Sequence, residues 1–258
     1  LIYKDFSVLA RVPARGIGKL PRIKWLFGLS CDDQSLRLEG LMRVLGLLLL
    51  ATVAGSAHAT NDWPSDFFGT TAVKAEPIYT RGELAGCSML FAATTKDTAY
   101  WRGEVAVVRG AFVLNLFGKP GEKFIAPALR VGVFKPNADG SIGASKAPDF
   151  IYAVGSAGST AKDTVASQPS DEPGYVVASI KLDSAIIGLI ADASLGKSIT
   201  IGYSRGEKGI DQRVDVDLSV TNTDMRNGKF VRERSTQPGS AFEDCFTKLV
   251  KELTIPKR

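Results

Sequence analysis

Residues 199–218 open with Ile199-Thr200-Ile201-Gly202-Tyr203, pass through Arg205-Gly206-Glu207-Lys208-Gly209, and close with Arg213-Val214-Asp215-Val216-Asp217-Leu218. Both flanks alternate apolar and polar side chains. That is the period of a strand with one face in a core and the other in water. The glycine-rich, charged middle has the composition of a hairpin loop. The stretch therefore reads as two strands joined by a short turn, and it sets the fold class as mainly β.

The same period recurs upstream. Within Ala99–Phe117 the residues Val105 and Val107, then Phe112, Leu114 and Leu116, recur every second position, with Arg109-Gly110 between them as the expected bulge or tight turn. Leu84–Ala92, Pro127–Phe134, Phe150–Val154 and Tyr175–Leu182 read as further strands. Residues 60–77 read as a leading arm. Gly155–Glu172, rich in Gly, Ser, Thr and Ala, is the longest segment expected to lack regular structure.

Two segments change to helical spacing. Ile186, Ile187, Ile190 and Ala191 predict a short helix over Ser184–Ala193. At the C-terminus Phe242, Cys245, Phe246, Leu249, Val250 and Leu253 form one apolar face, and Ser240 with Glu243 has the spacing of a capping box. Runs of strands with few helices predict an antiparallel β-sandwich or partly open barrel. One internal helix and a packed C-terminal helix complete it, as a single domain over residues 60–258.

Residues 42–59 run Met42-Arg43, an apolar stretch from Val44 to Ala57, then His58-Ala59. A basic start, an apolar centre and a small-x-small end are the parts of a secretory signal peptide, with cleavage expected after Ala59. The apolar stretch would make a helix of roughly 20 Å, short of the ~30 Å hydrocarbon core. Residues 1–41, with Pro13, Pro21 and Cys31, carry no sustained period and are expected to be an upstream mis-start outside the natural protein. The competing expectation is a cytoplasmic tail before a signal anchor. Export would place the protein in the periplasm or the medium, a layout shared by analogy with bacterial envelope proteins.

Export changes the charge balance. The whole chain has 32 basic and 27 acidic residues, a formal +5, but residues 1–59 hold eight of the basic and four of the acidic ones. The remaining 24 and 23 leave about +1, with no basic stripe interleaved with aromatics, which argues against nucleic-acid binding. The one histidine, His58, falls in the signal. Residues 60–258 therefore have no imidazole for Ser-His-Asp or Cys-His catalysis or for the usual zinc and copper ligation, and no cofactor or metal is expected. Cys87 and Cys245 are the two cysteines left there. In an oxidising compartment an even count reads as one disulfide.

The candidate chemistry is sparse. Asp215 and Asp217 share a strand face roughly 7 Å apart, a spacing compatible with a carboxylate pair acting on a glycoside, with Arg213 beside them as a partner for Asp215. Arg102, Arg109 and Arg205 would form an anion-binding group if the strands bring them together. Ala191–Ser198 fits a relaxed phosphate-loop pattern, but its helix precedes the loop and its strand follows. It reads instead as a helix ending at Gly196. Residues 137–141 read as a polar turn lacking the acids of a calcium loop, and Trp63, Tyr100 and Trp101 read as core aromatics. The expectation is a non-enzymatic envelope protein that binds a protein or polysaccharide through a sheet face or Gly155–Glu172. Its rival is a histidine-free, glycan-directed hydrolase using Asp215 and Asp217.

Overall fold

The computed structural model describes residues 64–119, 122–136, 142–143, 147–206, 209 and 211–254. The readings made on residues 1–41, on 42–59, on Trp63 and on 137–141 lie outside them.

Adjacent alternating segments pair antiparallel throughout. The largest sheet takes β1 (Gly69–Thr80), β2 (Glu83–Asp97), β3 (Glu104–Phe117), β4 (Phe124–Pro136), and a short β5 (Ile142–Gly143) beside β4. A second sheet begins with β6 (Phe150–Gly155) and β7 (Gly158–Ser159). The chain then returns to the first sheet as β8 (Thr164–Pro169) and β9 (Tyr175–Ile180), giving the order β1-β2-β3-β4-β9-β8. After α1 (Ser184–Ser194), β10 (Ser198–Ser204) and β11 (Gln212–Asp217) complete the second sheet as β11-β10-β6-β7. A separate hairpin of β12 (Val220–Arg226) and β13 (Lys229–Arg234) precedes the closing α2 (Gln237–Thr254). The larger sheet ends at β1 and β8, which do not pair with each other, so it is not a closed barrel.

Alternation places the core. Met89, Phe91, Phe112, Leu114, Leu129 and Val131 from the first sheet, and Ile151, Ile201, Val214 and Val216 from the second, join one buried cluster with Ile186, Leu189, Phe242 and Leu249 of the helices. At roughly 1.5–3 kcal/mol per buried large aliphatic or aromatic side chain, this cluster is the main stabilising term. Cys87 of β2 and Cys245 of α2 are joined, S–S 2.01 Å and Cα–Cα 5.9 Å, across 158 positions of sequence. The packing of the α2 apolar face and the cysteine pairing agree.

Four sequence expectations change. The leading arm contains most of β1, whose Lys, Glu and Pro obscured a strand lying at the sheet's edge. Gly155–Glu172 contains β7, a single 3-10 turn and the whole of β8. Arg109-Gly110 is neither bulge nor turn, since β3 runs through it in register with Phe91 and Val131. A Cβ on Gly110 would meet the Phe91 ring at 2.3 Å and the Arg130 carbonyl oxygen at 2.5 Å, so glycine is there to admit that ring. Finally, α2 starts at Gln237, whose N–H donates to Ser235 Oγ at 3.0 Å, while Ser240 already donates its N–H to Thr236 O. Ser240 is therefore not the cap; Pro238 in the first turn favours the earlier start. Among the described residues no helix is long and apolar enough to cross a membrane.

Candidate functional site

The face of β11 is as its alternation predicts. Val214 and Val216 are buried, Asp215 is exposed and Asp217 half-buried. The two carboxylates, however, are held by separate neighbours. Asp215 accepts from Thr200 Oγ1 at 2.6 Å. Asp217 accepts from the Ser219 N–H at 3.0 Å, Ser219 Oγ at 2.6 Å and Arg234 Nε at 3.0 Å. Partial burial pushes the Asp217 carboxyl up, but the Ser219 and Arg234 bonds together outweigh it and hold the pKa below its ordinary value. Such a group stays an anion, which suits a structural pin better than a proton donor. Arg213 pairs with Asp211 at 2.9 Å rather than with Asp215, and Tyr152 donates its hydroxyl to the same carboxylate at 2.6 Å.

The three candidate arginines go to different places. Arg102 is exposed in the β2–β3 turn with φ 52°. Arg205 lies over Tyr100 and Trp101, 4.9 and 5.0 Å from their ring centroids, and its N–H donates to Tyr100 Oη at 2.6 Å. Beneath it Asp97, fully buried, accepts from the Tyr100 N–H at 2.7 Å and from Tyr203 Oη at 3.1 Å. Burial, then the Asp97 charge, drives the Tyr203 phenol far above its ordinary pKa. Tyr100 and Trp101 pack against the core, as their sequence reading has it.

Arg109 belongs to another group, on the face of the large sheet away from the main core. There its positive charge acts on the Tyr175 phenol and lowers its pKa. Arg130 of β4, 2% exposed, lies 3.8 Å over the Tyr175 ring and forms an ion pair with Glu172 in the β8–β9 turn. Phe134 meets Tyr175 edge to face at 5.0 Å, and Gly132 leaves room for both rings, since a Cβ there would come within 2.8 Å of each. Burial first and the Glu172 charge second raise the Tyr175 pKa, against the lowering effect of the two arginines. Sequence reasoning missed Arg130 because only the β3–β4–β9 register brings it beside Tyr175.

The edge strand β8 offers a different kind of site. Residues 165–169 are all exposed, Val165 by 55%. Beside the strand a groove of about 370 Å³ is lined by Ala147, Pro148, Asp149, Ser167, Gln168, Pro169 and Val176. The N–H of Ser170 donates to Tyr175 O. With Gln168 opposite Val177 and Ala166 opposite Ser179, those two residues turn their main-chain groups toward β9. Antiparallel alternation then directs the Ser167 N–H and C=O, and the Pro169 C=O, toward the open edge.

No protein family, curated protein sequence or solved structure matches this chain. The chemistry therefore rests on the residues themselves. Among the described residues no group of three or more His, Cys, Asp or Glu side chains is placed to hold a metal ion. Within Ala191–Ser198, α1 ends at Ser194, Gly196 has φ 62° and β10 follows, the order of a helix C-terminus. Asp192 there is buried and accepts from the Ser156 N–H at 2.7 Å and Ser156 Oγ at 2.9 Å, which fastens the β6–β7 turn to α1.

Proposed function

We propose that this chain is an exported, non-enzymatic binding protein of the periplasm or medium, a single-domain β-sandwich that engages an envelope protein or polysaccharide. One observation carries the reading: the exposed edge strand β8 runs beside a partly apolar groove. The Cys87–Cys245 bridge supports an oxidising address. The hydrogen bonds already made by Asp215 and Asp217 argue against a free carboxylate pair for glycan hydrolysis.

Chemical crosslinking in the intact native envelope tests it. The expected result is a discrete covalent complex with one protein or one polysaccharide. The reading falls if no complex forms and purified protein releases reducing ends from envelope polysaccharide in a manner lost in both Asp215→Asn and Asp217→Asn. That outcome would install the hydrolase.

A further inference from the structure

We infer that the occupant of β8 is an extended, uncharged polypeptide segment that adds to the large sheet as a further antiparallel or parallel strand and seats one apolar side chain in the adjoining groove. This rests on the binding-protein reading and names its partner class. Three observations meet here. The first is main-chain chemistry: the outward Ser167 N–H and C=O and the Pro169 C=O form a donor–acceptor edge that another strand's backbone satisfies. A folded side-chain surface or a sugar matches that alternating backbone pattern poorly.

The second is that the edge is blunted only at its two ends. Sheets blunt open edges with lysines, inward charges, prolines or bulges. Here β8 has a register irregularity between Thr164 and Ala166 and Pro169 at its far end, but Thr164-Val165-Ala166-Ser167-Gln168-Pro169 carries no charge. The window between the bulge and the proline is left open, and it offers no counter-charge, so a charged side chain buried against it would go unpaired. The third is the groove. Pro148, Pro169, Val176 and Ala147 give it apolar walls, and its volume of about 370 Å³ accommodates a single large aliphatic or aromatic side chain. Its one carboxylate, on Asp149, already accepts the Gly206 N–H at 2.5 Å. Residues alternate faces along a bound strand, so backbone pairing at Ser167 and side-chain insertion beside Pro169 are geometrically linked.

The test is fluorescence polarisation of the full chain with a labelled, end-blocked Thr-Val-Thr-Leu-Thr-Val peptide, its version N-methylated on alternate amides, and a Lys/Glu-substituted version. The unmodified peptide is expected to bind at least about tenfold tighter than either control, a difference of one lost backbone hydrogen bond or more. Ser167→Pro removes an outward donor that makes no native ladder bond, and Ser167→Lys adds an edge charge while keeping the backbone. Both should weaken binding about tenfold or more at an unchanged urea midpoint. Equal binding of all three peptides, or of wild type and Ser167→Lys, overturns the inference. So does a dimer, seen by sedimentation, that Ser167→Lys dissolves while no peptide binds, because the edge then belongs to a second copy. A photo-crosslinker at Val165 and another at Phe117, an exposed ring at the far end of β3, used in the native envelope, separate the two readings. Adducts from Phe117 alone leave a binding protein without this edge; the lack of any adduct from Val165 overturns the edge inference.

Discussion

The Arg130 guanidinium lies over the Tyr175 ring, its central carbon 3.8 Å from the ring centroid, while the same group pairs with Glu172. A cation almost wholly removed from water is thereby held by a ring face and a carboxylate. Glu172 is half-exposed, so it regains water when Arg130 is removed, and the loss falls below the usual range for a broken buried pair. Arg130→Ala should cost about 2–3 kcal/mol in urea unfolding, with Arg130→Lys between it and wild type because lysine keeps charge but not the planar guanidinium. A loss under about 0.5 kcal/mol for Arg130→Ala would show the cluster to be idle.

Tyr203 and Asp97 make the complementary prediction. Removing the hydroxyl in Tyr203→Phe leaves a fully buried carboxylate oxygen without that donor, at about 1–3 kcal/mol. The phenol's folded pKa is raised, so its stabilisation is complete below the unfolded value of 10.0 and is lost as pH climbs beyond it. Urea midpoints at about pH 8 and about pH 11 should drop more for wild type than for Tyr203→Phe. Equal drops would mean that another group sets the alkaline limit.

Gly110 shows where the sequence was legible and where it was misread. Alternation placed Val105, Val107, Phe112, Leu114 and Leu116 on one strand, yet glycine between them suggested a break; with β3 continuous, Phe112, Leu114 and Leu116 face the main core together with Ala106 and Val108, while Val105 and Val107 lie on the opposite face. The strand continues because the Phe91 ring crosses over Gly110, a relation between strands that no local pattern carries. β8 was illegible for another reason: an edge with five consecutive exposed residues needs no alternation. The β12–β13 hairpin did leave a signal, Asn227-Gly228, and both residues adopt the positive φ of a tight hairpin turn, 53° and 74°. Asp215 and Asp217 were read on the right strand, but their hydrogen-bond partners Thr200 and Arg234 come from other segments.

From that geometry, Gly110→Ala should cost about 3 kcal/mol or more, since the new methyl meets backbone as well as ring. Phe91→Leu placed in the same chain should recover part of the loss, although alone it destabilises. A double-mutant cycle by urea unfolding measures the coupling. Strict additivity would mean that the ring does not impose the glycine.

Cys87 and Cys245 close a loop of 158 positions and tie α2 to β2. Chain-entropy arithmetic for such a loop gives about 5 kcal/mol, an upper figure because folded-state and unfolded-state effects reduce it. The Cys87→Ser, Cys245→Ser double variant should therefore unfold at lower urea by about 2–5 kcal/mol, and the wild type should fall to it in reductant. Non-reducing mass mapping of exported protein should return one peptide pair containing both cysteines. Two free thiols there would remove the bridge and the main support for an oxidising address.

Asp217 predicts acid behaviour. Its folded pKa is depressed: burial raises it, but the Ser219 and Arg234 hydrogen bonds more than reverse that. The sign follows directly. Unfolded chain binds the proton more readily, so the stabilisation is present above the unfolded value of 3.8 and is lost as pH falls through it toward the folded pKa. Asp217→Asn keeps the side-chain shape but not the charge that Arg234 meets. It should lower stability near neutrality and flatten the loss between about pH 5 and about pH 2.5 relative to wild type. Urea midpoints across that range decide it: parallel wild-type and Asp217→Asn curves would show that the acid limit is set by other carboxylates. Arg234→Ala tests the same pair from the cation's side, and should steepen nothing while shifting the Asp217 carboxyl resonance, followed by NMR titration, back toward 3.8.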